Sequence, residues 1–249
     1  MAGSRGCLGN ITQTMAQSLP AELPEIISLD ALGTLIEVVD PVGGLVAALA
    51  QRGVTVSSEQ AGEGLGAEMA YYRANSAFAG TPEALEQLRD RSTEVLAEAL
   101  PQSASAIGFA AMRESLGEAV RFAPFPEVDA VLDALRAAGA RLVIVSNWDI
   151  SLYEVLDQIG LRERVDAVVI SAEEGLAKPD PELIRRAVSR VGGSPDSTVW
   201  HVGDDPASDL ELARAAGVLP VLVDRYAQYG AFDEVIVLDS LEGLLPPDR

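Results

Sequence analysis

Asp30 ends a short apolar run, Ile26-Ile27-Ser28-Leu29, and Gly33-Thr34 follows within a few residues. A carboxylate in that setting can attack phosphorus or carbon, splitting one hard displacement into two easier ones. Gly33 lets the backbone approach a ligand closely, and Thr34 offers a hydroxyl to an oxyanion. Three more polar clusters follow apolar runs in the same way. They are Ser146-Asn147 after Leu142–Val145, Lys178-Pro179-Asp180 shortly after Val165–Ser171, and Gly203-Asp204-Asp205 after Val199–Val202, with Asp209 beyond. Asp30, Asp204 and Asp205 would supply hard oxygen ligands to Mg²⁺, which keeps several waters and takes one or two carboxylates plus substrate oxygens. Ser146 and Asn147 offer donors to phosphoryl oxygens, and Lys178 adds a positive charge that also restrains Asp30. Three of the four clusters have a plainer reading too: a capped turn at Asp30, a helix cap at Ser146-Asn147, a solvated loop at Asp204 to Asp209. His201, the only histidine, lies inside an apolar run and reads as a packed structural residue.

Short apolar runs bounded by turn signals read as buried strands. From Phe122 onward such runs alternate with helical segments. Helices are expected at Phe125–Gly139, Ile150–Ile159, Pro181–Val191 and Ser208–Ala216, and strands at Arg141–Val145, Val165–Ser171, Thr198–Gly203, Leu219–Val223 and Val235–Leu238. This rhythm implies right-handed crossovers and a parallel sheet covered on both faces, joined by the strand before Asp30. All four polar clusters then lie at the C-terminal edge of one sheet, where ligand sites form.

Between them, Val38–Arg121 is helical in character, with segments at Gly44–Arg52, Ser57–Asn75, Pro82–Leu100 and Ser103–Val120. Ser57 with Gln60 has the spacing of a capping box, and Thr81-Pro82 opens the third segment. Arg73, Arg91, Tyr71 and Tyr72 stand out within this unit. Arg73 is the candidate for reaching a substrate, against the plainer reading of solvated charge.

The formal charge of −20 over 249 residues argues against nucleic acid and anionic membranes as partners. A 48% hydrophobic content with regular turn punctuation implies a globular chain. One cysteine, Cys7, excludes an internal disulfide and fits a reducing, cytoplasmic compartment. No apolar run has the length of a membrane span. Met1–Pro24 reads as a mostly disordered leader, with Met15 as an alternative start.

The four clusters, in this order, resemble the haloacid dehalogenase superfamily. The strings that carry the resemblance are Ser146-Asn147-Trp148-Asp149, Ala177-Lys178-Pro179-Asp180-Pro181 and His201-Val202-Gly203-Asp204-Asp205-Pro206, and it extends over 26–245. It implies a Rossmann-like, doubly wound α/β core at 25–37 and 123–249, with a helical C1-type cap inserted at 38–122. It implies an aspartyl-enzyme intermediate on Asp30, Thr34 and Ser146 as phosphate binders, and Lys178 as the motif lysine. Asp204 or Asp205 would be the acidic metal ligand, and the Leu32 carbonyl would complete the protein's contacts to Mg²⁺. Phosphatases of the family carry a second aspartate two residues after the nucleophile, where this chain has Leu32. General acid–base help is worth roughly 10²–10⁴ in rate, and dehalogenating members also lack that aspartate. The leading expectation is Mg²⁺-dependent hydrolysis of a small phosphorylated metabolite by a monomer or homodimer. Hydrolysis of a 2-haloacid and a weakly catalytic binding module stand as alternatives.

Overall fold

The computed structural model describes residues 18–230, 232 and 235–245. The leader reading therefore falls, for residues 1–17 with Cys7 and Met15, outside the described residues. In chain order the strands are β1 (Ile26–Leu29), β2 (Ile36–Val38), β3 (Phe122–Pro124), β4 (Arg141–Ser146), β5 (Ala167–Ile170), β6 (Val199–Gly203), β7 (Leu219–Val223) and β8 (Ile236–Leu238). The helices are α1 (Pro41–Gln51), α2 (Ser58–Asn75), α3 (Pro82–Ala99), α4 (Gln102–Ser105), α5 (Phe109–Ala119), α6 (Val128–Ala137), α7 (Leu152–Gln158), α8 (Ser171–Glu174), α9 (Glu182–Arg190) and α10 (Glu211–Ala216).

Six of the strands form one parallel sheet in the order β5-β4-β1-β6-β7-β8. Successive side chains of a strand point to opposite faces, and the two faces bury different residues. Ile27, Leu29, Leu142 and Ile144 pack with Val131, Leu132 and Leu135 of α6 and Leu152 and Leu156 of α7. Ile26, Val143 and Val145 pack on the other side with Leu183, Ile184 and Ala187 of α9 and Leu212 of α10. Both faces are covered, so the strands read as continuous apolar runs. The chain leaves β1 toward β4 and β5, then returns to β6 on the other side. That reversal at β1 opens a crevice at its C-terminal end.

The chain crosses into the helical unit through β2 and back through β3, and these two strands pair antiparallel. Three-residue strands are too short to leave a periodic signal in the sequence. The unit has its own core, including Leu45, Leu49, Leu65, Leu96, Leu100 and Met112. The Ser57–Gln60 capping box forms, with both side chain to backbone bonds made. The expected helix at Ser103–Val120 is instead split into α4 and α5, because Gly108 takes φ +81 between them. No helix among the described residues is long and apolar enough to cross a membrane.

Candidate active site

Asp30 is the first residue beyond β1, and its amide still donates to the Val202 carbonyl of β6 at 2.9 Å. Its carboxylate is buried, and Oδ1 accepts from Ser146 Oγ at 3.2 Å and from the Lys178 ammonium. Lys178 Nζ also donates to Asp209 Oδ1 at 2.6 Å. Asp209 is further held by His201 Nε2 at 3.2 Å and, through Oδ2, by the Asp205 amide at 3.0 Å. Six residues from four regions of the chain thus meet at the sheet edge.

The glycines make this approach feasible. Gly33 has φ +88, and a Cβ there would lie 2.2 Å from Asp204 Oδ2. A Cβ on Gly203 would lie 2.1 Å from Asp209 Cγ. Only hydrogen at these two positions lets the carboxylates sit where they do.

Ligand-atom oxygens of Asp30, Asp204 and Asp209 lie within 4.8 Å of one another. One ammonium faces these three acids, and the charges do not balance. Burial pushes Asp209 up, but the Lys178 charge and the His201 hydrogen bond bring it well below the usual carboxylate range. Burial lowers Lys178, yet the Asp209 and Asp30 charges outweigh this and raise it. Asp204 is pushed up to about 7, first by burial and then by the charges of Asp30 and Asp209. Burial likewise raises Asp30, against the pull of Lys178. An all-oxygen donor set carrying uncompensated negative charge suits a hard divalent cation such as Mg²⁺.

The doubled aspartate divides its roles. Asp204 joins the cluster, whereas Asp205 is exposed and its Oδ1 accepts from the Ala207 amide at 2.9 Å. Of the two candidates for the acidic metal ligand, the geometry therefore favours Asp204. Asp205 starts the π-helical turn Pro206–Leu210, which brings Asp209 back under the site.

A family model for haloacid dehalogenase-like hydrolases matches residues 24–217. This chain belongs to that family. Among curated relatives, a phosphoserine phosphatase of Thermus thermophilus is 40% identical over 106 residues, covering 42% of each chain. A glyceraldehyde 3-phosphate phosphatase of Methanopyrus kandleri is 34% identical over 103 residues, covering 41% of this chain and 44% of the relative. The matches thus span less than half the length of these relatives. Among solved structures, a 2-haloacid dehalogenase from Pseudomonas syringae pv. Tomato has a TM-score of 0.58 at 21% identity, covering 89% of this chain and 96% of the other. A HAD phosphatase from Thermococcus onnurineus has a TM-score of 0.60 at 20% identity, covering 88% and 95%. These two likenesses establish the α/β fold.

In this haloacid dehalogenase-like hydrolase the loop after β4 spends each residue on a different partner. Ser146 meets Asp30. The Asn147 side-chain amide accepts from the Lys178 amide at 2.7 Å and donates to the Lys178 carbonyl at 3.2 Å. Asn147 thus holds the lysine's backbone, a correction to its expected use as a donor to phosphoryl oxygens. The Trp148 amide donates to Ser171 Oγ at 3.0 Å, and its ring lies 5.2 Å from that of Phe122 on β3. Asp149 Oδ1 accepts from the Ser151 amide and Oδ2 from Tyr72 OH, both at 2.7 Å.

Thr34 is fully buried, and its hydroxyl has no hydrogen-bond partner among the described residues. One other expectation changes. Arg73 is exposed, and its side chain forms no hydrogen bond or ion pair among the described residues. Its neighbour Tyr72 reaches the loop after β4, as does the Ala79 carbonyl, which accepts from the Ile150 amide at 3.3 Å. Leu32 is partly buried against the main core and supplies no proton-transferring group at its position.

The sequence reading missed Arg225, just after β7. Its guanidinium donates to the Gly33 carbonyl at 3.2 Å, the Thr34 carbonyl at 2.7 Å and Glu127 Oε1 at 2.6 Å. It also stacks on Phe125, with Cζ 3.6 Å from the ring centroid. A lone arginine after an apolar strand carries no signal of partners so distant in sequence.

Proposed function

We propose that this hydrolase removes the phosphoryl group from a small phosphorylated metabolite through an aspartyl-phosphate on Asp30. The observation that carries the reading is the charge imbalance. With Lys178 shared between Asp30 and Asp209, Asp204 has no cation of its own, and a phosphate would add more negative charge. Asp30, Asp204 and the Leu32 carbonyl would hold Mg²⁺, with Asp209 beside them. When bound, the ion would neutralise these carboxylates and draw charge from the phosphoryl oxygens. The relatives named as phosphatases support the same choice.

The Lys178 ammonium favours the ionised form of Asp30 and fixes its orientation. Asp30 forms a bond to phosphorus as the bond to the leaving oxygen breaks, and that oxygen departs with the electron pair. Ser146, which donates to Asp30 in the free site, would turn its one hydroxyl proton to a phosphoryl oxygen. Water then attacks phosphorus, releasing phosphate and freeing Asp30. With Leu32 at the usual acid–base position, the leaving oxygen departs without a proton from that side chain.

The helical unit at 38–122 acts as the cap. The paired β2 and β3 are its hinge, and the Tyr72–Asp149 hydrogen bond holds it down over the sheet edge. Closure would keep bulk water from the phosphoryl group. The charge of −20 weighs against nucleic acid and anionic membranes as partners, and the setting proposed is a cytoplasmic monomer or homodimer.

A second reading, hydrolysis of a 2-haloacid with Asp30 attacking carbon, is favoured by Leu32, because halide leaves without a proton. The deciding experiment follows phosphate release from nitrophenyl phosphate and chloride release from 2-chloropropionate, each with Mg²⁺ and with chelator. Phosphate release that requires Mg²⁺ is expected. Chloride release that ignores the chelator, with no phosphate formed, would overturn the proposal.

A further inference from the structure

Beneath the site, His201 and Ser28 sit opposite each other on the paired strands β6 and β1. Both are almost fully buried in strands that are otherwise apolar. Buried polar groups are costly unless hydrogen-bonded, and here each is satisfied by the other. Ser28 Oγ lies 2.9 Å from His201 Nδ1, and His201 Nε2 lies 3.2 Å from Asp209 Oδ1. Asp209 also faces the Lys178 ammonium and the Asp205 amide, so it is surrounded by donors and acts as an acceptor. The ring nitrogen toward it must then carry a proton. In a neutral imidazole the other nitrogen is an acceptor, and it receives the Ser28 hydroxyl.

We propose that Ser28 and His201 form a positioning pair: Ser28 donates to Nδ1, the ring donates from Nε2 to Asp209, and Asp209 so oriented keeps the Lys178 ammonium on Asp30. Neither residue touches substrate. Ser28 is two positions before Asp30, and His201 lies three before Asp204, so the pair ties the two acid-bearing strand ends to one buried reference. His201 thereby has a role beyond packing, and it acts only through Asp209. The kinetic consequence rests on the phosphatase reading; the ring assignment does not.

The test has two arms. In untagged protein the single histidine gives one ring, and long-range ¹H–¹⁵N correlation at neutral pH reads its protonation. A neutral ring protonated at Nε2 is expected. A proton on Nδ1, alone or together with Nε2, overturns the assignment whether or not the enzyme turns over. In the second arm, His201→Leu and His201→Gln are compared on nitrophenyl phosphate with Mg²⁺, alongside their melting temperatures. The Gln amide can reach the point where Nε2 stands, whereas Leu only fills space. His201→Leu should lower kcat about tenfold with KM nearly unchanged, and His201→Gln should recover most of that loss, because a small misplacement of a catalytic group is costly. Equal losses in both variants that track their melting temperatures would overturn the positioning role. Absence of wild-type turnover would instead count against the phosphatase reading, with the ring assignment decided by the first arm.

Discussion

Arg225 holds the backbone carbonyl of Thr34 at 2.7 Å, so the turn after Asp30 is pinned by a residue that follows β7, two strands away in the sheet. The same guanidinium pairs with Glu127, with side chains 9% and 11% exposed. Removing one partner of a buried pair leaves the other charge uncompensated. Arg225→Met should therefore cost about 3 kcal/mol, read from denaturant unfolding. It should also lower kcat by loosening the Gly33-Thr34 turn. Unchanged stability would mean that the pair contributes nothing net.

Glu127 should also give the acid limb of the stability profile a recognisable component. Burial raises its carboxyl, but the Arg225 hydrogen bond, helped by backbone donors, holds it below the usual glutamate range. A folded-state value below the unfolded one stabilises the fold above the unfolded value. That stabilisation disappears as pH falls through the folded value. Melting temperature should thus decline more steeply on acidification in wild type than in Arg225→Met. Parallel profiles would contradict this.

Gly33→Ala separates backbone strain from the loss of space. The left-handed conformation costs a side chain about 1–2 kcal/mol, and the new Cβ would strike Asp204. Mg²⁺ affinity should fall about tenfold or more, the scale seen when a metal site's supporting contacts are lost. Gly139→Ala is the control, since Gly139 has φ +94 with nothing within 4 Å of a built Cβ. It should lose similar stability and keep its Mg²⁺ response. If both variants keep that response, Asp204 is not a ligand.

Leu32 has consequences for substrate range. With no proton donor there, rate should depend steeply on leaving-group acidity, and nitrophenyl phosphate should far outpace alkyl phosphates. Leu32→Asp should recover one or two decades of the roughly 10²–10⁴ that acid–base help is worth, more for alkyl than for aryl esters. Equal wild-type rates on both classes, with chemistry limiting, would mean that another group supplies the proton.

Asp30, Ser146, Lys178, Asp204 and Asp209 could be assembled from sequence because each follows an apolar run, and parallel strands send all such ends to one edge. Side-chain direction within the loops was not legible. Thr34 is buried with its hydroxyl unpaired among the described residues, Asn147 is taken up by the Lys178 backbone, and Asp205 caps its own turn. Tyr72 and Arg73 are neighbours on α2, and which of them faces the sheet depends on how the helix packs. Arg225 stayed hidden because its partners Gly33, Thr34 and Glu127 meet it only in the folded chain.

The most direct test of the central claim is a rapid acid quench during turnover of nitrophenyl phosphate with Mg²⁺, followed by peptide mass analysis. Slow release of the intermediate is expected, because Leu32 leaves the attacking water without its usual base, so a phosphoryl adduct should accumulate on the Asp30 peptide. It should be absent without Mg²⁺ and in Asp30→Asn, which keeps the side chain's shape but loses the nucleophile. Undiminished turnover by Asp30→Asn, or an adduct on another residue, would contradict the aspartyl-phosphate mechanism.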